Sequence, residues 1–253
     1  MKKQREHLML TDIQTVFWKE WNEFLHARSS MKGTLMTMFF PVLVFGVFFP
    51  LQAGRDWVES AVPLMSFAWI PLLFVSAMTA DSFAGERERH TFETLLASRL
   101  SDNAIFFGKL SAAISYGLFM TALIAGTGIV SVNIAEFDGS FLFYPFKAFL
   151  FGSFICILAS TLIAGIGILI SMKAQTVRQA HQTLSFAIVI IALSPTLLFR
   201  FLPRSFRQWL IAQLERVEPS QALTAIIIFL CVLTLAIITY AAKKCRRTSL
   251  NFE

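Results

Sequence analysis

Six apolar stretches, each long enough to cross a lipid bilayer, constrain this chain more than any other feature. A helix needs about 20 predominantly apolar residues to span about 30 Å of hydrocarbon. Hydrophobic residues make up 56% of the chain, which is well above the content of a typical soluble domain. The predicted spans are residues 33–51, 61–80, 105–132, 146–172, 183–201 and 223–242. We therefore expect an all-α integral membrane protein with six transmembrane helices.

The segments outside the spans are short, which predicts one membrane domain over residues 1–253. A nucleotide-binding or catalytic domain usually needs on the order of 100 residues, and no segment approaches that length. We divide the chain into a leader at 1–32, a six-span bundle at 33–242 and a tail at 243–253. The leader carries an apolar stripe at helical spacing, formed by Ile13, Val16, Phe17, Trp21, Phe24 and Leu25. It predicts an amphipathic helix along the inner membrane face, and a solvated helix packed on a partner is the alternative.

Lysine and arginine are concentrated on one side of the predicted spans. They precede the first span, flank the loop after the second and end the chain. Because short basic loops tend to stay in the cytoplasm, we expect both termini to be cytoplasmic in a multi-pass protein of the inner (cytoplasmic) cell membrane. The loop at 201–219 is also basic, but an even number of crossings places it outside. Its apolar spacing favours a short external helix before the sixth span, either at the outer interface or as a simple linker.

Several chemistries lack the residues that they require. No acidic or basic residue lies deep within the predicted spans, with Lys147 and Arg200 near span ends, whereas ion-coupled transporters usually need such groups. The chain has no G-x-x-x-x-G-K-[ST] loop for ATP phosphates and no cysteine or histidine spacing typical of a metal site. We expect no catalytic residue, no metal, no cofactor bound by this chain and no nucleic-acid partner. A secondary transporter or channel is disfavoured, and a membrane enzyme is disfavoured most.

A densely charged segment, GERERHTFETLLASRLS at residues 85–101, follows the second span and is itself followed by Gly108 and Lys109. We call residues 85–101 the charged segment. Its composition is compatible with an amphipathic helix held just outside the bilayer. A helix in that position offers a surface on which another protein can dock. The alternative is a solvated loop whose charges pair at i,i+4 spacing.

The charged segment resembles the loop after the second span in permeases of type-2 ATP-binding-cassette (ABC) exporters. That family typically reads E-R-E-x-G-T-L-E-x-L-L, then S-P-x-S, then G-K. The matching positions here are Glu86, Arg87, Glu88, Thr91, Glu93, Leu95, Leu96, Ser98, Ser101, Gly108 and Lys109. The chain departs from the pattern at His90 for Gly, Phe92 for Leu and Arg99 for Pro. Gly permits backbone angles that His resists, and Pro would punctuate the end of a helix.

The resemblance implies an assembly of two permease chains, identical or homologous, with two copies of a separate ABC ATPase subunit. ATP and Mg²⁺ would be bound by that ATPase. Thr91 to Ser101 would form a cytoplasmic coupling helix between the second and third spans, preceded by a polar start in which Glu86 and Glu88 pair with Arg87 and Arg89. The residues implied in coupling are Glu86, Arg87, Glu88, Thr91, Glu93, Thr94, Leu95, Leu96, Ser98 and Ser101.

The function implied is ATP-driven export across the membrane. Phenylalanine-rich spans without deep charges favour an amphipathic or lipid-like cargo, and the family handles drugs, antimicrobial peptides, polysaccharides and lipids. A non-transporting membrane scaffold or regulatory subunit is the alternative, because it would share the spans without requiring an ATPase.

Small residues on the fourth span recur every four positions, at Gly152, Cys156, Ser160 and Ala164. Small side chains at this spacing let neighbouring helices approach closely. We therefore expect this face to pack inside the bundle.

Overall fold

The computed structural model describes residues 2–26, 39–60, 62–208 and 219–245. Within these ranges the chain is helical and contains no strand, which confirms the all-α prediction for the described residues. The helices are α1 (Lys2–His26), α2 (Phe39–Ala53), α3 (Asp56–Glu59), α4 (Val62–Glu88), α5 (Phe92–Ala97), α6 (Asp102–Ala135), α7 (Phe146–Lys173), α8 (Val177–Phe201) and α9 (Pro219–Lys244).

Four of the described helices are long and apolar enough to cross a membrane, namely α4, α6, α7 and α9. They correspond to the second, third, fourth and sixth predicted spans. The fifth predicted span lies within α8, and the first corresponds to the shorter apolar helix α2, since residues 33–38 lie outside the described residues. The count of six spans stays a prediction. Residues 204–208 are helical, whereas 209–218, which hold most of the predicted external helix, and 246–253 of the tail lie outside the described residues.

Helix α4 is the centre of the bundle and packs against α6, α7 and α8. The face of α7 that carries Gly152, Cys156, Ser160 and Ala164 is buried. A Cβ at Gly152 would lie 2.5 Å from the Phe67 ring of α4, so this glycine is what allows the two helices to approach. Nearer the other end of α7, the Ser171 hydroxyl donates to the carbonyl of Ala80 and accepts from the backbone N–H of Ala84, both at 3.0 Å.

Helix α1 packs along α6. The Val16 side chain is buried, and a Cβ at Gly108 would lie 2.5 Å from it. Trp21 makes edge contacts with Tyr116 and Phe119, with ring centroids 5.9 and 6.1 Å apart. Val16 and Trp21 of the apolar stripe therefore pack against another helix of the same chain, a contact that neither sequence-based alternative included.

Helix α2 contains a π-helical turn, Val44–Phe48, just before Pro50. Pro50 has no N–H to donate to the carbonyl of Gly46, four residues earlier. The Ser131 hydroxyl of α6 donates to that carbonyl instead, at 3.0 Å. The backbone irregularity thus coincides with the contact between α2 and α6.

Opposite the charged segment, the loop at 136–145 joins α6 to α7, and we call this side of the molecule the far end. The Asn133 side chain holds the loop by accepting from the backbone N–H of Leu142 at 2.8 Å and donating to its carbonyl at 2.9 Å. Arg55, just before α3, forms ion pairs with Glu136 and Asp138. Helix α3 and the loop are therefore joined at the far end.

Candidate functional site

The charged segment folds into the end of α4, a tight turn and the short helix α5. The backbone N–H of Thr91 donates to the carbonyl of Glu86 at 2.9 Å, which closes the turn. Helix α5 ends where Ser98 adopts an extended conformation. Ser101 caps the next helix, because its hydroxyl accepts from the backbone N–H of Ala104 at 3.2 Å. The predicted helix from Thr91 to Ser101 is therefore too long, since α5 ends at Ala97 and Ser101 is the N-cap of α6.

His90 occupies the turn with a φ of 57°, in the left-handed region. It is also the position at which the family pattern has Gly. A left-handed conformation costs most L-residues about 1–2 kcal/mol, whereas Gly adopts it freely. The structure thus places the strained backbone at the position where the sequence departs from the pattern.

Helix α5 has a buried face and an exposed face. Phe92 and Leu95 are 5% and 8% exposed, and the Phe92 ring packs edge-on against Phe83 of α4 at a centroid distance of 6.3 Å. Glu93, Thr94 and Ala97 are exposed. The side chain of Leu96 is not among those that the structure describes. Leu95 therefore anchors α5 to the bundle, and the exposed surface of α5 includes Glu93 and Thr94.

The four charges at 86–89 bind four different parts of the molecule. Arg87 donates to the carbonyls of Met172, at 2.8 Å, and Ala174. Glu86 pairs with Lys19 and Lys109. Glu88 accepts from the backbone N–H of Val177 at 2.9 Å, and Arg89 Nη1 lies 3.4 Å from Asp81 Oδ1. Within the described part of the chain, none of these four charges forms an ion pair with another of the four. The expectation that they pair among themselves is therefore wrong. Successive residues on a helix point about 100° apart, which directs each charge to a different neighbour.

Arg87 and Glu88 fasten the junction between α7 and α8. A cation near the last carbonyls of a helix and an anion near the first N–H groups of the next both complement the helix dipoles. The Arg87 guanidinium also lies 5.0 Å from the centroid of the Phe92 ring, which links this junction to α5. These contacts connect α5 with the ends of α4 and α7 and with the start of α8.

Glu86 belongs to a buried group of charges that we call the Lys109 cluster, consisting of Lys19, Glu20, Glu86 and Lys109. Lys109 Nζ lies 2.5 Å from Glu20 Oε1 and 3.2 Å from Glu86 Oε1, and it donates to the carbonyl of Ser82 at 2.8 Å. Lys19 Nζ lies 2.7 Å from Glu86 Oε1. The cluster joins α1, α4 and α6 at the base of the charged segment.

Burial makes the charge pairs of the Lys109 cluster costly to separate. The side chains of Lys109 and Glu86 are 0% and 1% exposed, and Glu86 Oε2 makes no hydrogen bond within the described part of the chain. Burial raises the pKa of Glu20 even though Lys109 lies beside it. For Lys19, burial alone would lower the pKa, but the hydrogen bond and charge of Glu86 outweigh it and raise that pKa. Removing Lys109 would leave Glu20 and Glu86 as buried carboxylates without the cation that they share.

Three carboxylates, those of Glu20, Glu23 and Glu86, offer oxygens within 4.8 Å of one another. Such a group could hold a cation. Two ammonium groups, those of Lys19 and Lys109, already lie among them and supply positive charge. The arrangement therefore favours an internal ion-pair network that fastens α1 to the charged segment.

The sequence contained two signals for this cluster. Lys109 lies inside the predicted third span, at 105–132, and the expectation that the spans lack deep charges did not take it into account. Glu20 lies on the apolar stripe of α1, at helical spacing from Val16 and Phe17. A carboxylate on a buried face and an ammonium group inside a span each require a partner. Reading them together would have predicted the pair.

With this geometry in place, the comparisons with known proteins identify the family. The family model of the ABC-2 type transporter matches residues 11–214, which is most of the chain. This chain therefore belongs to the ABC-2 type transporter family, and the resemblance to type-2 ABC permeases is confirmed.

Two curated relatives share a region of 125 residues with this chain at 31% identity. Both are described as a probable multidrug ABC transporter permease YbhR, one from Escherichia coli strain K12 and one from Escherichia coli O157:H7. The matched region covers 49% of this chain and 31% of each relative. The chain thus matches about a third of the length of these relatives.

Proposed function

We propose that this chain is the membrane-spanning permease subunit of an ATP-driven exporter, in which a separate ABC ATPase docks on α5. The observation that carries the proposal is the construction of α5. Its inner face is anchored by Phe92 and Leu95, and its outer face presents Glu93 and Thr94. A docking helix needs both properties, because a force applied to the outer face moves the bundle only if the inner face is fixed.

The contacts behind α5 suggest how such a force would spread. Phe92 packs on Phe83, and Arg87 joins the start of α5 to the ends of α7 and α8. Glu86 joins the same region to α1 and α6 through the Lys109 cluster. Closure of two ATPase subunits on ATP and Mg²⁺ would push α5 of each permease chain, and these connections would carry the displacement into the spans.

The rest of the proposed assembly follows the family. We propose six spans, an inner-membrane location with both termini in the cytoplasm, a second permease chain, identical or homologous, and two ATPase copies. The basic residues beside the charged segment support this orientation. For the cargo we propose an amphipathic, lipid-like, drug or peptide molecule, in keeping with the apolar spans and with the description of the relatives as multidrug permeases.

The test is copurification of the full chain from its native membrane in mild detergent, with partners identified by mass spectrometry. The test variant is Glu93→Lys. Glu93 is exposed, so reversing its charge leaves the buried face of α5 intact. The matched control is Glu59→Lys, the same charge change at an exposed position of α3 at the far end. Thermal unfolding of both variants verifies that the fold is unchanged.

The proposal expects an ABC ATPase at near-equal stoichiometry with the wild type and with Glu59→Lys, and its loss from Glu93→Lys. No ATPase with any of the folded proteins would overturn the transporter assignment and favour the scaffold alternative. An ATPase that is retained equally by Glu93→Lys would place the docking surface elsewhere on the chain.

A further inference from the structure

A cavity of about 560 Å³ lies between the far-end halves of α6 and α7. It lies well away from the Lys109 cluster, because Gly126, on its wall, is 17 residues further along α6 than Lys109, or about 25 Å at 1.5 Å per residue. Its volume is within the range of about 300–1,000 Å³ that is usual for small-molecule sites. The cavity therefore belongs to the membrane-spanning part of the chain and not to the candidate docking site.

The wall contributed by α6 is a single helical stripe. Its residues are Leu118, Thr121, Ala122, Ala125, Gly126 and Ile129. From the first to the last the stripe is about 16 Å long, which is close to the half-thickness of a hydrocarbon core of about 30 Å. The wall therefore has the length of the hydrocarbon part of one leaflet.

The opposite wall, on α7, is a second stripe with the same helical spacing. It runs from Phe146 through Phe149 and Ser153 to Ile157, and Phe146 and Phe149 are exposed. The floor is the buried Phe67 ring of α4, which contacts Phe149 edge-on at a centroid distance of 6.4 Å. The cavity thus has a closed apolar floor and aromatic residues on an exposed rim.

The polar groups on the walls are few and partly committed. No charged side chain is among the described residues that line the cavity. The Thr121 hydroxyl donates to the carbonyl of Gly117 at 2.8 Å, and the Tyr144 hydroxyl donates to the carbonyl of Ala125 at 3.4 Å. The part of a ligand that enters must therefore be uncharged and needs few hydrogen bonds.

We propose that this cavity is a lipid-binding site that holds one acyl chain of a bilayer phospholipid. Its leaflet-length walls, uncharged lining and exposed rim within the spans together match an acyl chain that enters laterally from the bilayer. The acyl chain fills a space that would otherwise lack packing contacts. The phospholipid head group stays at the far-end surface. The site requires only that α6 and α7 lie in the bilayer, so it is independent of ATPase docking.

Gly126 provides the means to block the site. An added Cβ at Gly126 would meet no atom of the described residues within 4 Å, so a side chain at this position starts in open space on the cavity wall. Gly126→Phe and, as a second blocking variant, Ala122→Phe place a ring in the space that the acyl chain would occupy. The matched control is Val130→Phe, which adds a ring to the same helix at an exposed position outside the lining.

The experiment is photolabelling of the full chain in phosphatidylcholine vesicles that contain a fraction of phosphatidylcholine with a diazirine midway along one acyl chain. Adducts are mapped by mass spectrometry, and unfolding temperatures verify the fold of each variant. We expect adducts to concentrate on the two stripes, to fall by roughly fivefold or more in Gly126→Phe and Ala122→Phe, and to persist in Val130→Phe.

If the stripes and exposed residues elsewhere on α7, such as Leu150 and Phe154, are labelled to the same extent, the proposal is overturned in favour of general lipid contact. Stripe labelling that both blocking variants leave unchanged would also overturn it. Labelling of Leu150 and Phe154 without labelling of the stripes would overturn it as well, in favour of a protein such as a second permease covering the cavity. If Gly126→Phe fails to fold, Ala122→Phe decides, and the Glu93→Lys copurification remains a separate test of the proposed function.

Discussion

Lys109 and Arg55 each hold two carboxylates, at opposite ends of the same bundle. Lys109 pairs with Glu20 and Glu86 next to the charged segment, and Arg55 pairs with Glu136 and Asp138 at the far end. The Lys109 side chain is 0% exposed, whereas that of Arg55 is 43% exposed. The number and type of charges are nearly the same, but the solvent around them differs.

This difference determines what each group can do. An exposed ion pair gains little, because water and salt screen its charges. A buried pair is expensive to form and even more expensive to break, because breaking it leaves a charge in a low-dielectric environment. The Lys109 cluster therefore suits a junction that stays intact, as the proposed push on α5 would require. The Arg55 group suits a loop contact that can open at little cost.

The largest effect is expected from Lys109→Met, which leaves Glu20 and Glu86 buried without their shared cation. We expect the free energy of unfolding in detergent to fall by about 3–5 kcal/mol. Denaturant unfolding followed by tryptophan fluorescence measures it.

The control for this prediction is a variant that combines Lys109→Met with Glu20→Gln and Glu86→Gln. It removes the buried charges together and should recover much of the lost stability. A loss of less than about 1 kcal/mol in the single variant, the range of exposed pairs, would remove the distinction between the two ends.

A second effect concerns the turns at the two ends. The far-end loop places Gly139 at a φ of 98°, whereas the charged segment places His90 at 57°. We expect His90→Val to lower the free energy of unfolding by about 1–2 kcal/mol, because a β-branched residue resists this conformation. His90→Gly should be neutral or stabilising by up to about 1 kcal/mol. Equal stabilities for the Val and Gly variants would show that the turn relaxes to another conformation.

Lys19, at the edge of the Lys109 cluster, gives a smaller and pH-dependent effect. Its pKa is raised in the folded protein above the ordinary 10.5, so its stabilisation is fully present below 10.5 and is lost as the pH rises through the folded value. Lys19→Met should cost about 0.5–1 kcal/mol at neutral pH, because Lys19 is 39% exposed and its pairs are partly screened.

The measurement for Lys19 is the difference in unfolding free energy between the wild type and Lys19→Met as the pH increases. The difference should shrink above pH 10.5, and Lys147→Met, at an exposed lysine of the far end, serves as the control. A difference that stays constant over this range would mean that packing of the Lys19 stem, and not its charge, is what stabilises the protein.

The smallest effect is expected from Arg55→Ala. Because all three partners of this group are exposed, we expect an unfolding temperature indistinguishable from that of the wild type at physiological salt. Comparison at low and high salt checks this, since any residual contribution should disappear at high salt. A large loss of stability would mean that the far-end loop is as firmly bound as the charged segment.

Much of this architecture could be predicted from the sequence. Apolar length alone predicted helices at 105–132 and 146–172, and the structure has them as Asp102–Ala135 and Phe146–Lys173. The motif at Glu86 to Ser101 led to the correct family. The predicted extent of the coupling helix, Thr91 to Ser101, was wrong. Local composition does not show that Ser101 caps the next helix.

The sequence by itself determined the membrane class, the family and the place of the charged segment. These three follow from local properties of the sequence, namely the length of apolar stretches, the position of charges and the order of motif residues. Pairing depends on which helices meet, so only the tertiary structure decided that Glu86 binds Lys109 and Lys19, that Arg87 reaches Met172 and that Leu95 faces inward. The same holds for the cavity between α6 and α7, whose two stripes look like ordinary lipid-facing residues until the helices are placed side by side. The physical reason is that burial sets the strength of a charge or an apolar contact, and burial arises only when distant segments pack.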